Sequence, residues 1–152
     1  MLPGKISKRV VADRLAWVDR MLGEIRMLPL NSKTDFMKDS RNFWTAESCL
    51  RRALEALFDI GRHIAAKGFA EAVAEYKEIA SALKRRRVIS DKDHDLMQKM
   101  AGYRNRLVHF YHDVSVDELF EICASHLGDV EQIANALRLW IANNPGVLDD
   151  TL

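Results

Sequence analysis

Apolar residues recur at alternating steps of three and four along most of the chain, the spacing that lines one face of an α-helix. The stripes predict helices over about 7–27, 40–68 and 70–85, a fourth helix that begins near Ser90 and a fifth that begins near Ser115. No convincing strand pattern is present. Long helices joined by short connections pack antiparallel, so the sequence predicts an all-α, up-and-down bundle of four long helices and one short helix.

Residues that favour helix ends flank these stripes. Pro29 follows the first stripe, and a proline in a helix interior removes a hydrogen bond and clashes with the preceding turn. Asp39 or Ser40 can cap the start of the second helix, and Gly68 follows its end. The stretches "SDKD" and "SVDE" open the fourth and fifth helices in the form of a capping box. The fifth helix ends at "NNPG", and a flexible tail is expected over 145–152.

The size and composition of the chain fit one globular domain over residues 1–152, with 48% hydrophobic and 30% charged residues. The formal net charge is only +1, so a nucleic-acid partner would need a local basic patch. No segment approaches the roughly 18 apolar residues of a membrane span, and the N-terminus has no leader pattern, so we expect a cytoplasmic protein without a membrane partner. Cys49 and Cys123 lie on apolar stripes, which favours buried free thiols over a disulfide or a metal site.

The stretch "YRNRLVHFYHDVS", residues 103–115, concentrates polar side chains at the end of the fourth helix. The positions expected to face the core are Tyr103, Leu107 and Phe110. An α-helix turns by about 100° per residue, so Arg104 and Tyr111 then share a stripe beside the core face. Asn105 and His109 share a stripe that points well away from the core. All four side chains are expected to lie largely outside the interior of the bundle.

Val108 is apolar and β-branched, and it stands among these outward-facing polar residues. Its position indicates a second packing surface, which in a symmetric homodimer would bring two copies of the stretch together. A simpler interpretation stays open, in which the cations offset the helix macrodipole and His112 and Asp113 cap a turn. A metal site at His109 and His112 is disfavoured because no third ligand falls at a typical spacing.

The segment "RNRLVHFY" resembles the motif of HepT-like toxins, in which an Arg is followed by four residues, a His, one residue and a Tyr. These toxins are small members of the HEPN superfamily of helical ribonucleases. The stretches "AESCLRRALEALFDIGRHIAAKG", "YKEIASAL" and "RRVIS" are similar to the same family in order and spacing, and the resemblance covers Val10 to Ile141. Arg106, at a usually apolar position, and the sequence Phe110-Tyr111-His112 depart from the family pattern.

The resemblance implies a metal-independent endoribonuclease that needs no cofactor, acts as a homodimer and is encoded with a nucleotidyltransferase antitoxin of the MntA type. It also implies that the antitoxin silences the toxin by transferring AMP to Tyr111. Metal-free cleavage uses the 2′-hydroxyl of RNA as the nucleophile, which DNA lacks. His109 can serve as the base or the acid near neutral pH, Arg104 offers a charged fork to the phosphate, and Asn105 is a supporting residue.

Several further residues are candidates for contact with RNA, and they are Arg106, His112, Lys84, Arg85, Arg86 and Arg87. A run such as "KRRR" more often satisfies carbonyl groups at a helix end, but here it is the best candidate for the local basic patch that RNA would require. Glu55 and Asp59 fit a surface ladder of ion pairs, although either could also steer Arg104 if the two helices are adjacent. An alternative function keeps the same fold: a non-catalytic HEPN partner, or antidote, of a nucleotidyltransferase.

Overall fold

The computed structural model describes residues 5–109 and 114–149, and within them the chain forms seven α-helices. The helices are α1 (Lys8–Arg26), α2 (Lys33–Lys38), α3 (Ser40–His63), α4 (Tyr76–Arg85), α5 (Asp91–His109), α6 (Val116–Ser125) and α7 (Leu127–Asn143). A π-helical turn over Ile64–Gly68 continues α3. The all-α prediction is confirmed.

The predicted stripes form the core of the bundle. Along α1 the buried residues are Val11, Leu15, Val18, Met21, Leu22 and Ile25, and this face packs along α3. Full burial of each such side chain contributes about 1.5–3 kcal/mol. Three of the expected helix starts carry side-chain caps: Asp39 accepts from the Arg41 N–H at 3.0 Å, Ser90 from the Asp93 N–H at 3.1 Å and Ser115 from the Glu118 N–H at 3.1 Å.

The third helix begins at Tyr76, six residues later than the prediction of about 70. Ala70 has φ of 53°, in the left-handed region that a non-glycine residue enters at a cost, and it ends the helical path of the preceding segment. The Glu71 N–H then donates to the carbonyl of Ala65 at 2.9 Å. The chain therefore turns back before α4 begins.

The predicted fifth helix is two helices, α6 and α7, which meet at His126. His126 leaves helical geometry with φ of −124° and ψ of 7°. Its N–H nevertheless donates to the carbonyl of Ile122 at 2.8 Å, and buried Cys123 and Leu127 keep a spacing of four across the break. The apolar period continues through the junction, so the period alone does not reveal it.

Two small features of the fold had no counterpart in the prediction. The helix α2 buries only Phe36, which contacts Phe120 with ring centroids 5.3 Å apart. A single buried apolar residue cannot produce the repeating apolar pattern from which a helix is predicted. Two short strands, β1 (Ile6–Ser7) and β2 (Leu148–Asp149), pair in parallel. Of the tail expected to be flexible, residues 145–149 form a 3₁₀ turn and β2, and residues 150–152 lie outside the described part of the chain.

The remaining general expectations concern the thiols and membrane segments. Cys123 is buried and Cys49 half-buried, and both are free thiols. Burial raises the pKa of the Cys123 thiol to about 12, so this side chain is a poor nucleophile at neutral pH. Within residues 5–109 and 114–149, no helix has the length and apolarity to cross a bilayer. The same residues hold no group of three or more His, Cys, Asp or Glu side chains arranged for a metal ion.

Candidate active site

The C-terminal half of α5 forms one wall of an open cleft of about 510 Å³. The structure brings together in this cleft Arg104, Asn105 and His109, the three motif residues of the sequence prediction that it describes. The other walls come from α3 and from the residues that lead into α4. These lining residues are Glu55, Asp59, Arg62, Ala74, Glu75 and Tyr76. Three separate segments of the chain therefore build the site.

Arg104 is more buried than the sequence predicted. Its side chain is only 18% exposed, because the buried face of α5 runs through Met97, Ala101 and Leu107 and carries Arg104 between α3 and α4. The expectation that Arg104 lies largely outside the bundle is therefore wrong, whereas His109 is exposed as expected. Asn105 is half-buried, and its Oδ1 lies 3.5 Å from Nη1 of Arg104.

An aromatic ring holds the Arg104 guanidinium. Its central carbon lies 4.3 Å from the centroid of the Tyr76 ring, and Tyr76 stacks on buried Phe58 with centroids 4.7 Å apart and planes 18° apart. Nη2 of Arg104 is 3.6 Å from Oε2 of Glu55, a carboxylate that also accepts from Arg51 at 2.9 Å. Nε of Arg104 is buried and has no hydrogen-bond partner among the described residues. Arg104 is thus held against the Tyr76 ring and paired with Glu55 at the long end of the ion-pair range, while its Nε stays unbonded within the described residues.

The phenol of Tyr76 stays neutral in this environment. Burial raises its pKa, an effect opposed by the positive charge of Arg104 and reinforced by the carboxylates of Glu55 and Asp59. Asp59 is itself paired, with Arg62 at 3.1 Å and with Arg14 at 3.9 Å. The cleft therefore places a neutral ring and the Arg104 cation side by side, with Asp59 engaged by Arg62 and Arg14 and with Glu55 shared between Arg51 and Arg104.

Arg106 lies on the same helical segment but is engaged elsewhere. Its guanidinium forms an ion pair with Glu118 and donates to both carboxylate oxygens, at 2.5 and 2.7 Å. Hydrogen bonding from Arg106 lowers the pKa of the Glu118 carboxyl. This contact joins the last turn of α5 to the first turn of α6. Tyr111 and His112, the predicted modification site and a predicted RNA contact, lie outside the described residues.

The predicted basic run lies at the far end of α4 from Tyr76. Arg85 and Arg86 both pair with Glu71, and Lys84 is 3.7 Å from Asp91. Exposed Arg87 adopts the left-handed region with φ of 60°. A second cleft, of about 730 Å³, is lined by Lys84, Arg85, Arg87, Ser81 and His94 among others. From Tyr76 to Lys84 and Arg85 is about 12–14 Å along the helix axis, at about 1.5 Å per residue.

The family model described as Ribonuclease HepT-like matches residues 19–137. The chain belongs to the HepT-like ribonuclease family. That match spans α3, α4 and α5, which together build the cleft around Arg104.

A curated relative and two solved structures agree with this match in extent and in fold. The chain is 23% identical to the mRNA nuclease HepT of Shewanella oneidensis over 129 residues, which cover 85% of this chain and 96% of the relative. A solved structure of a tri-AMPylated HEPN toxin from the same organism, in complex with an MNT antitoxin, superposes with a TM-score of 0.77 at 23% identity, covering 86% of this chain and 97% of the toxin. A Bacillus subtilis cytosolic protein of unknown function, YutE, superposes with a TM-score of 0.76 at 18% identity and covers 95% and 98% of the two chains. The HepT-like fold is thus shared over nearly the whole length.

Sequence reasoning missed the aromatic residues Tyr76 and Phe58 at the site, as well as Ala74 and Glu75 in its lining. Both aromatic residues fall on apolar helical stripes, where an aromatic residue is expected to be core. The signal that could have placed Arg104 correctly is the run of Met97, Ala101 and Arg104 at steps of four and three. That run puts the guanidinium in line with buried residues of this HepT-like bundle.

Proposed function

We propose that this HepT-like protein is a metal-independent endoribonuclease and the toxin of a two-component toxin–antitoxin system. The observation that carries the proposal is the cleft in which Arg104, Asn105 and His109 meet. Family membership and the likeness to an mRNA nuclease support it. The residues are those that phosphodiester cleavage requires: a titratable imidazole and a charged fork for phosphate oxygens.

In the proposed reaction, His109 removes the proton from a 2′-hydroxyl of RNA. The 2′-oxygen attacks the adjacent phosphorus, and the bond from phosphorus to the 5′-oxygen breaks as that oxygen takes a proton from an acid. The products are a 2′,3′-cyclic phosphate and a 5′-hydroxyl. Arg104 stabilises the negative charge that builds on the phosphorane oxygens, and charge stabilisation of this kind is often the largest contribution to catalysis. Asn105, within reach of Arg104, supports the arrangement.

The protein is proposed to act as a homodimer. One chain supplies one His109, whereas the reaction uses both a base and an acid, and a second His109 at a symmetric interface would provide the other. Val108 beside it is half-buried and His109 exposed in the single chain, which suits a contact surface. Light scattering at micromolar concentration tests this, and a strictly monomeric protein that still cleaves RNA would contradict it.

We propose that the ribonuclease activity is silenced by an antitoxin, as a modified toxin bound to its antitoxin in a relative suggests. The Shewanella toxin is tri-AMPylated and bound to an MNT antitoxin in its solved structure. We expect an MntA-like nucleotidyltransferase to transfer AMP to Tyr111 of this chain, which places a phosphate and a bulky nucleoside two residues after His109. Mass spectrometry after co-expression should show added AMP on the peptide containing Tyr111, and an unmodified peptide from an inactivated toxin would contradict this route.

The central experiment is cleavage of single-stranded RNA by the purified protein in EDTA. His109→Ala should lose about 10²-fold or more in rate, since general acid–base catalysis contributes about 10²–10⁴-fold. Arg104→Ala should lose about 10²–10³-fold, the usual cost of removing one donor that stabilises charge in the transition state. His126→Ala and Arg138→Ala are matched controls, because both residues form ion pairs on other faces of the bundle. Equal cleavage by all five proteins would refute the assignment. A folded wild type that binds the nucleotidyltransferase but leaves RNA intact would favour the non-catalytic HEPN partner.

A further inference from the structure

We propose that Tyr76 is a positioning residue that holds Arg104 in the geometry needed for RNA cleavage. The inference rests on the proposed function and extends it to a residue outside the motif. Tyr76 is the first residue of α4, and Arg104 lies on α5. The contact therefore joins the two helices at the cleft.

The stack of three side chains fixes the plane of the Tyr76 ring. Phe58 on α3 is fully buried and lies 4.7 Å from Tyr76 with nearly parallel planes. The guanidinium carbon of Arg104 is 4.3 Å from the centroid of the same ring, well inside the range of about 6 Å for a cation–π contact. A ring supported by the bundle core in this way limits where Arg104 can lie.

A ring positions a cation without neutralising it, and this distinguishes Tyr76 from Glu55. The 3.6 Å separation between Glu55 and Arg104 is longer than a good hydrogen bond, and Glu55 bonds Arg51 at the shorter distance of 2.9 Å. A closer carboxylate would compete with a phosphate for the guanidinium. Contact through the face of the ring leaves charge on Arg104 for the phosphorane oxygens.

A second arginine near the ring has a different role. The guanidinium carbon of Arg62 is 5.7 Å from the Tyr76 centroid, but Arg62 is tied to Asp59 at 3.1 Å and to the carbonyl of Ala74 at 3.3 Å. Arg62 therefore secures the segment that enters α4. Its contacts help to keep Tyr76 where Arg104 needs it.

The experiment compares Tyr76→Leu with Tyr76→Phe in the RNA cleavage assay, with kcat and KM measured separately. Loss of the ring face should lower kcat about 10- to 30-fold in Tyr76→Leu, with KM within about threefold, because Arg104 acts mainly on the transition state. Tyr76→Phe keeps the ring face and should stay within about threefold of wild type. Tyr76→Leu combined with Arg104→Ala should be no slower than Arg104→Ala alone.

Tyr103→Leu is the matched control, because Tyr103 is a half-buried tyrosine of the same bundle that contacts Lys99 at 5.9 Å. Its kcat should match wild type once the folded fraction, measured by circular dichroism, is taken into account. If Tyr76→Leu does not fold, Tyr76→Met, which retains more of the side-chain length, replaces it with the same expectation.

Three results would overturn the inference. They are wild-type kcat in Tyr76→Leu, an equal loss in Tyr76→Phe, and additive losses in the double variant. Failure of the proposed function is distinguishable from these, because wild type and Arg104→Ala would then cleave RNA equally or not at all.

Discussion

Gly61 on α3 packs closely against side chains of α4, and replacing it with alanine tests how α4 is held. A Cβ atom at Gly61 would lie 2.9 Å from Cγ2 of Ile79 and 3.0 Å from Cδ1 of Leu83. Both contacts are on α4, and both side chains are fully buried. Cγ2 of Ile79 is bonded directly to Cβ and its χ1 angle is stiff, so this methyl group cannot move away alone. Alanine should therefore push α4 outward.

Gly23→Ala provides the matched substitution. Gly23 lies in α1, and a Cβ atom there meets nothing within 4 Å. In a helix, alanine is favoured over glycine by about 0.8–1 kcal/mol, so Gly23→Ala should stabilise the protein by up to that amount. Gly61→Ala has the same gain but adds overpacking, which costs about 1–3 kcal/mol. The difference in unfolding free energy between the two variants should thus be about 1–3 kcal/mol, with Gly61→Ala the less stable.

Urea denaturation followed by circular dichroism measures this difference, and RNA cleavage by the same variants measures its consequence. At about 2–4 °C per kcal/mol for a chain of this size, melting temperatures should separate by about 2–12 °C. Because Tyr76 opens α4 three residues before Ile79, outward movement of α4 should also lower kcat in Gly61→Ala and leave Gly23→Ala at the wild-type value. Equal stability of the two variants would show that α4 adapts freely and would refute this account of the packing.

Two other contacts give predictions of their own. His63 Nε2 accepts from the Ser7 N–H at 2.9 Å, and burial, with help from Lys67 and Arg14, lowers the pKa of His63 below its usual 6.5. The stability that neutral His63 contributes is complete above pH 6.5 and is lost as pH falls through the lower folded-state pKa. The unfolding free energy should therefore fall less steeply between pH 7.5 and 5 in His63→Gln than in wild type, with His126→Gln as the control. An unchanged slope in His63→Gln would count against this. Glu118→Gln should cost at most about 1 kcal/mol, because the Arg106–Glu118 pair is one-third exposed, and the loss should shrink in high salt. Glu121→Gln on the same helix is the control. If Glu118→Gln lost several times more unfolding free energy than about 1 kcal/mol, or if its loss did not depend on salt, the pair would have a wider structural role.

The helices that could be predicted are those whose buried face is defined by an apolar pattern within the helix itself. In α1 and α3 the apolar stripe alone determines which face is buried, and Asp39 is a capping residue that sequence reveals directly. The break at His126 could not be predicted, because Cys123 and Leu127 keep helical spacing on either side of it. Helix α2 has too few apolar residues to register as a period.

The same distinction applies to the candidate site. The motif residues Arg104, Asn105 and His109 are recognisable because their spacing lies within one helix. The contact between Arg104 and Tyr76 joins residues 28 positions apart (104 minus 76), and no periodicity within either helix relates them. Even the burial of Arg104 depends on which neighbours α5 meets. Its sequence-based placement erred because the buried face includes Ala101 and Leu107, whereas Tyr103 is only half-buried.

The late start of α4 at Tyr76 links the packing of the helices to the position of the Tyr76 ring in the cleft. Had the helix begun near residue 70, as the stripe through Val73 suggests, it would have continued directly from the preceding turn. Ala70 in the left-handed region instead breaks the path, and the absence of a side chain at Gly61 lets Ile79 and Leu83 settle close against α3. The first feature ends the preceding helical segment, and the second allows the close packing of α4 on α3, the helix whose Phe58 supports the Tyr76 ring against Arg104. Packing at Gly61, which is remote from the motif in sequence, should therefore control the chemistry of the cleft as strongly as it controls stability.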